Sequence, residues 1–413
     1  MRNPRVFITG IGIVNAAGLG VAAFWDAVAS GRSCIRLITR FDTDGFPVKV
    51  AGEICDFRAQ DFIPRRFLVK TDRFTHYALA AADMALADAK LDLTAGLNDR
   101  VGVWLGNDTG GWDLAERGFL ELHRQGAAMV NPWGATAWFP AAPQGFITIR
   151  HAITGYSKSF VCDRATGSAS LYFAFRAIRA GHNQVVLAGG TEAPLTPLGV
   201  LSYHETGELS AGTDPRTAYR PFDRQRDGLV LGEGSTVLVL ENGDQARARG
   251  AHVYGELLSG SMTFDPEPSQ GLAMERAMCR AIRDARLTPR NVDLILAEGC
   301  GTPFCDRLEA GAISRVFAAE SPHVPVTSPK SIYGHLFGAS GATEVACALM
   351  SMQTSRLPPT LNLEDPEPEG NLAFVTHPER KLVCHALINA RGREGVNVAL
   401  VIGRARPDGA AEE

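Results

Sequence analysis

The chain has 413 residues, 45% of them hydrophobic, with 41 lysines and arginines against 45 aspartates and glutamates and a formal net charge of -4. That length holds two ordinary domains or one large duplicated one, with apolar residues enough for a substantial core. The balanced charge, without a long run of either sign, argues against nucleic acid or a membrane surface as main partner.

The N-terminal MRNPRVFITGIGIVNAAGLGVAA imitates a signal peptide, with arginines ahead of an apolar run. Asn15 and several glycines interrupt that run, and its β-branched residues alternate, so Val6 to Ile13 is expected to be a first buried strand. No stretch reaches the roughly 18 unbroken apolar residues of a membrane span. Gly10-Ile11-Gly12 hints at a dinucleotide loop, but Asn15 stands where the third glycine belongs and no acidic residue follows at the required distance.

Residues 33 to 66 read as loop and short strand, and His76 to Lys90 as an alanine-rich helix whose small faces let other elements come close. Arg100 to Leu105 reads as a strand. Gly110-Gly111 then opens WDLAERGFLELHRQG, a helix with Trp112, Ala115 and Phe119 on one face, read either as core or as the wall of a tunnel.

Gly155 to Gly181 is the centre of the chain: a polar strand-like entry, a tight turn at Asp163-Arg164, and a helix carrying Leu171, Phe173, Ala174, Phe175, Ala177 and Ile178. Its apolar residues lie nearly all round, as in a buried helix. A cysteine at such a helix start would be held as thiolate and could attack an acyl carbonyl. Arg164 can do neither, and its charge opposes the helix dipole, so it needs a carboxylate nearby.

Gln184 to Gly190 is a further strand, and Leu229 to Leu240 reads as a hairpin-like pair broken at Gly232-Glu233-Gly234. A linker-like stretch runs through Asp265, Pro266 and Pro268. The second half repeats the order of the first: helix Glu275 to Ala285, strand Asp293 to Ala297, helix from Asp306, strand Val324 to Thr327, helix Ala339 to Met352. The strands Leu382 to Asn389 and Val396 to Ile402 bracket a loop, and a polar tail, ARPDGAAEE, is expected to be disordered. Alternating strands and helices in two similar halves predict an α/β protein built by internal duplication, divided into residues 1–255 and 256–413. The eight cysteines, at 34, 55, 162, 279, 300, 305, 347 and 384, form no CxxC pair or metal-type cluster. They read as reduced, mostly buried thiols of a cytoplasmic protein, and no metal site is expected.

Several segments resemble the β-ketoacyl synthases of the thiolase superfamily over nearly the whole chain: VFITGIGIV, AGGTEAPLTPLGV (188–200), YRPFDRQRDGLVLGEG (219–234), SPKSIYGHLFGASGATE (328–344), LPPTLNL (357–363) and the terminal N-x-x-G-x-x-G-x-N (389–397). The resemblance implies the thiolase fold, duplicated halves in five αβαβα layers. It also implies condensation through a nucleophilic cysteine and two histidines that stabilise the enolate. Matched position by position, Arg164 takes the place of the cysteine and Glu298 that of the first histidine, whereas Lys330 and His335 are kept. The loop that gates active enzymes reads Gly392-Arg393-Glu394-Gly395-Val396-Asn397, and the resemblance implies Arg391 and Arg393 as its gating residues. Arg164 and Glu298 carry opposite charge, so they either pair as a buried plug of the former active site or reach solvent separately.

A nearer resemblance is to the chain length factors, the ketosynthase-like β subunits of type II polyketide synthases. It rests on ITRFDTDGFPVKVAGEI (38–54), TDRFTHYALAAADMALADA (71–89), GGWDLAERGFLELHRQG (110–126) and VYGELLSGSMTFDPEP (253–268). In that family a non-nucleophilic residue, usually Gln, stands at the cysteine position. The resemblance implies a non-catalytic subunit without a cofactor of its own. Its partner would be an active ketosynthase α subunit, in a heterodimer or heterotetramer, and its substrate would ride on the phosphopantetheine of an acyl carrier protein. It also implies that Trp112, Ala115 and Phe119 wall a tunnel limiting chain length. The alternative is a self-sufficient condensing or malonyl-decarboxylating enzyme that uses Cys162, Ser168 or His335 in a rearranged site.

Overall fold

The computed structural model describes residues 4–93, 98–266, 271–317, 324–366 and 371–405. Ten strands carry the architecture: β1 (Val6–Asn15), β2 (Val101–Gly106), β3 (Lys158–Phe160), β4 (Val185–Glu192), β5 (Gly234–Asn242), β6 (Gly255–Phe264), β7 (Leu294–Leu296), β8 (Pro325–Thr327), β9 (His385–Arg391) and β10 (Val396–Gly403).

Their order is the signature of duplication. The first half runs β3-β2-β4-β5-β1 and the second β8-β7-β9-β10-β6, the same arrangement five strands later. Directions repeat as well: β2 is parallel to β3 and β4, with β5 antiparallel to β4 and β1. In the same way β7 is parallel to β8 and β9, with β10 antiparallel to β9 and β6. The two half-sheets join at one corner, where Phe7 pairs with Glu256 and Ile8 with Gly255.

Helices fill the space between and outside them. The outer helix α1 (Arg73–Asp88) covers β1 and β5 on one side. Helix α2 (Trp112–Gln125) follows β2, and α3 (Ala142–His151) leads to β3. Helix α4 (Thr166–Arg179) is the central one, and α5 (Leu272–Asp284) covers β6 and β10 on the far side. Helix α6 (Pro303–Phe317) follows β7 and packs on α5, and α7 (Ser340–Thr354) packs on α4 between the half-sheets. The layers therefore read αβαβα, as the resemblance implied. Sheets covered on both faces need strands without polar alternation, and β1, β2, β4 and β5 are buried along almost their full length.

Two glycine pairs permit this packing. A Cβ on Gly10 or Gly12 would overlap the carbonyl oxygen of Ala85 or Ala81 in α1. The glycines that suggested a phosphate loop therefore admit a helix backbone. Where α4 meets α7, a Cβ on Gly341 would overlap the Ser168 hydroxyl, and one on Gly167 would sit 2.8 Å from the Gly338 carbonyl. The close crossing brings the starts of both central helices, with their turns, to one point.

Some expectations are corrected. Leu229 to Leu240 is not a hairpin: β5 begins at Gly234, and the preceding residues make isolated bridges to Leu209, His335 and Gly52. Glu233 explains the break, because its buried carboxylate takes hydrogen bonds from Arg40, Arg73 and the Ile54 N–H. Strand β6 was not anticipated, its apolar and small residues showing no clear period. The cysteines are all free, but only Cys300 and Cys347 are buried, whereas Cys55 and Cys279 are exposed. Most of the linker-like stretch after Pro266 and nearly all of the polar tail lie outside the described residues.

Candidate functional site

The entry strand β3 ends at Phe160, and the chain makes a 3-10 turn at Asp163–Ala165 before α4. Thr166 secures the turn by accepting the Cys162 N–H at 2.8 Å. Asp163 takes a left-handed conformation, φ 50°, which directs the next side chain inward. Arg164 is accordingly 1% exposed, at the start of the central helix.

The expected plug of Arg164 with Glu298 does not form. Arg164 has Asp163 at 3.6 Å and Glu208 at 3.5 Å. Glu298 instead takes its partners from the opposite wall: its Oε1 lies 2.7 Å from His335 Nε2 and its Oε2 lies 3.7 Å from Lys330 Nζ. Each charge has found a nearer partner on its own side of the pocket.

The His335 tautomer follows from its contacts. Nδ1 accepts the Phe337 N–H at 3.0 Å, so the ring proton resides on Nε2 and is donated to Glu298. Burial holds the imidazole below its ordinary pKa although Glu298 pulls the other way. Burial also pushes the Glu298 carboxyl up, but Lys330, His335 and Arg164 outweigh it and hold it down at about 2.

Lys330 closes the network from below. Its ammonium donates to the Glu298 and Ala297 carbonyls at 2.7 and 3.2 Å and contacts Glu344 of α7. Burial pushes the Glu344 carboxyl well up against the pull of Lys330. One ammonium thus faces one firmly ionised carboxylate, which is how so many buried ionisable groups are accommodated. Glu309 of α6 accepts the N–H groups of Glu298 and Gly299 at 2.8 and 2.9 Å and fixes that loop.

Condensation needs a nucleophile and donors aimed at a developing oxyanion. Here Glu298 brings an acceptor where a donor is needed, and it occupies the Nε2 proton of the histidine that remains. Cys162 is half-buried, and burial with the neighbouring Asp163 carboxylate pushes its thiol up, away from the reactive form. Ser168 is fully buried inside α4, and its hydroxyl has no hydrogen-bond partner. The rearranged site weighed from the sequence therefore has no activated nucleophile at Cys162 or Ser168, and His335 is already engaged. Among the described residues, no group of three or more His, Cys, Asp or Glu is placed to hold a metal ion, and no helix is long and apolar enough to cross a membrane.

Models of the β-ketoacyl synthase N-terminal domain and C-terminal domain match residues 3–246 and 255–364. The chain belongs to the β-ketoacyl synthase family. It is 42% identical over 406 residues to the "actinorhodin polyketide putative beta-ketoacyl synthase 2" of Streptomyces coelicolor, covering 97% of this chain and 99% of that one. It is 40% identical over 403 residues to the tetracenomycin polyketide synthase ketoacyl synthase beta subunit of Streptomyces glaucescens, covering 97% and 98%. Among solved structures, the ishigamide ketosynthase/chain length factor superposes with a TM-score of 0.90 at 29% identity, over 98% of this chain and 100% of that one. Within the ketosynthases these relatives place the chain with the chain length factors.

The positions matched to tunnel and gate divide in the structure. Trp112 is only 8% exposed: its Nε1 donates to Thr109 at 2.8 Å and its ring packs on Tyr203 and Trp138. Ala115 is half-buried and Phe119 is 58% exposed, so the face opens outward along α2. Arg391 is not a loop residue. It ends β9, buried, donating to Asn397 at 3.1 Å. Arg393 does lie in the loop, where its N–H donates to Asp163 and its guanidinium to the Thr206 carbonyl.

Sequence reasoning missed Glu208 and Glu344. Glu344 had a signal, a single acid in the otherwise apolar or small SGATEVACALM of α7. Glu208 had none, since it reaches Arg164 from a loop distant in sequence.

Proposed function

We propose that this chain is the non-catalytic chain length factor of a type II polyketide synthase and works only with an active ketosynthase. The observation that carries the reading is the His335–Glu298 hydrogen bond beside a buried Arg164: the family's cysteine position holds a guanidinium, and the remaining histidine has already given its Nε2 proton to Glu298.

The partner would be the cysteine-bearing α subunit, in a heterodimer that could pair again into a tetramer. In support, α2 leaves Phe119, Leu120 and Leu122 exposed, and Trp133, Phe139 and Ile149 are exposed on the adjoining segments. These last three line a cavity of about 890 Å³ with Phe67 and Phe146. Apolar surface of that extent marks an interaction site. Ala115 and Phe119 would line the tunnel at that interface, with Trp112 as the packed root of the helix rather than a wall. Arg393, tied to Asp163, would order the loop over the mouth. The growing chain would reach the pair on the phosphopantetheine of an acyl carrier protein, in the cytoplasm, and this subunit would bring no cofactor. A division at 255/256 would assign β6, all but its first residue Gly255, to the second half.

Co-expression with the α subunit tests the reading. The pair should co-purify and condense malonyl units, and this chain alone should neither take up radiolabelled acyl groups nor release carbon dioxide from malonyl carrier protein. Either activity in the single chain would refute it.

A further inference from the structure

Two thiols lie beside Arg164 that neither condensation nor length control employs. Cys305 stands half-buried in the first turn of α6, with its N–H donating to Thr302 Oγ1 at 3.2 Å. Cys300, 1% exposed, places its sulfur 3.2 Å from the same oxygen, so Thr302 Oγ1 joins the two cysteines. Arg164 faces this pair. Its Nε and Nη1 are fully buried and donate no hydrogen bond, because Asp163 and Glu208 sit at ion-pair distance only. A buried guanidinium lacking acceptors is costly unless an anion stands opposite.

The electrostatics favour sulfur as that anion. The Cys300 thiol, Arg164 and the Thr302 hydroxyl stabilise a Cys305 thiolate, against burial and the Glu208 carboxylate, and hold it at about 6. The start of a 15-residue helix adds to the same effect. Burial and the neighbouring Cys305 push Cys300 the other way. A low-pKa thiol reached from solvent with a protonated thiol against it is the arrangement of an exchanging and a resolving cysteine.

We propose that Cys305 is a reactive thiolate and modification site that exchanges with low-molecular-weight disulfides, and that Cys300 resolves it into a Cys300–Cys305 disulfide beside Arg164. In the first step the Cys305 sulfur attacks one sulfur of RSSR, forming the mixed disulfide and expelling RS⁻. In the second, Cys300 gives up its proton to solvent and attacks the Cys305 sulfur, expelling the second RS⁻. The protein dithiol loses two electrons and two protons, and RSSR becomes two RSH.

A rate at one pH would be a weak test. Lowering a thiol from about 9 to about 6 raises its thiolate fraction at neutral pH roughly 90-fold, but intrinsic nucleophilicity falls roughly 15- to 30-fold, leaving a net gain of only about three- to sixfold. The pH profile discriminates better. The full chain with its ketosynthase partner is treated with oxidised glutathione across pH, and the tryptic peptide 291–307, which holds both cysteines, is followed by mass spectrometry without reduction. The expected product is that peptide lighter by two hydrogens, and the reduced peptide should disappear at a rate half-maximal near about pH 6 and flat above it. Cys300→Ser should trap glutathione on Cys305, and Arg164→Leu should move the midpoint upward. Melting curves confirm that each variant folds. The proposal is overturned if Cys305 stays unmodified while exposed Cys279 reacts, or if the rate keeps rising about tenfold per pH unit up to about pH 9.

Discussion

His335 donates its Nε2 proton to Glu298 Oε1 across 2.7 Å, with both residues buried. On the function proposed above, that contact accounts for a chain that keeps the fold of a condensing enzyme, and two of its characteristic side chains, without its chemistry. The lysine and histidine now hold a carboxylate in place, and holding it fixes the tautomer that points away from any substrate carbonyl.

Such a network has a stability consequence. Removing one member of a matched buried pair leaves an uncompensated charge and costs about 3 to 5 kcal/mol. Lys330→Met, which strips both Glu298 and Glu344 of their cation, should lower stability by about that amount, as read from urea or thermal unfolding of the assembled pair. Glu298→Gln should cost less, about 1 to 3 kcal/mol, because removing the Glu298 charge lets Glu344, already in contact with Lys330, ionise in its place. Equal or negligible losses would mean that the network is not stabilising.

The Glu298 carboxyl also predicts a pH dependence. Its folded pKa, about 2, lies below the ordinary 4.5, so its contribution is present above about pH 4.5 and is lost as pH falls toward 2. His335, held below its ordinary 6.5, acts in the same direction at higher pH: the unfolded chain takes up the proton first and acid weakens the fold. Glu298→Gln should therefore flatten the lower part of the urea midpoint against pH. An unchanged slope below about pH 4.5 would assign the acid sensitivity to other groups.

Length control should follow the outer residues of α2. Phe119→Ala opens space at a surface the single chain leaves exposed, so longer products are expected with little loss of stability. Ala115→Phe should shorten them. Trp112→Ala removes a packed anchor and is expected to cost about 3 to 5 kcal/mol, so its effect on product belongs with its effect on folding. Chromatographic sizing of products from the reconstituted pair checks all three, and identical products would remove α2 from the tunnel.

Sequence patterns made the α/β duplication legible, since runs such as VFITGIGIV and QVVLAGG fit only strands buried on both faces. The loss of the nucleophile was legible too, because Arg164 stands at a position the family motifs fix. Partner choice was not. Opposite charges at Arg164 and Glu298 suggested a pair, but Glu208 and Glu344 reach the pocket from segments remote in sequence, and charge alone cannot rank them. The same limit applied to Trp112, whose periodicity placed it on the right face of α2 without revealing that Thr109, Tyr203 and Trp138 enclose it.

Restoring the missing sulfur should not restore the enzyme. In Arg164→Cys the anionic Glu298 lies close by and opposes a thiolate, and His335 remains committed. The single variant is expected to take no acyl label, and only together with Glu298→His should it acquire any. Labelling of the single variant would show that the arginine alone blocks the site.

The central claim, that this subunit shapes a product it does not make, is tested most directly by intact-mass analysis of both subunits trapped during turnover of the reconstituted pair. The account predicts acyl and polyketide adducts on the α subunit only, with this chain unacylated throughout. A polyketide adduct on this chain at catalytic frequency would contradict it.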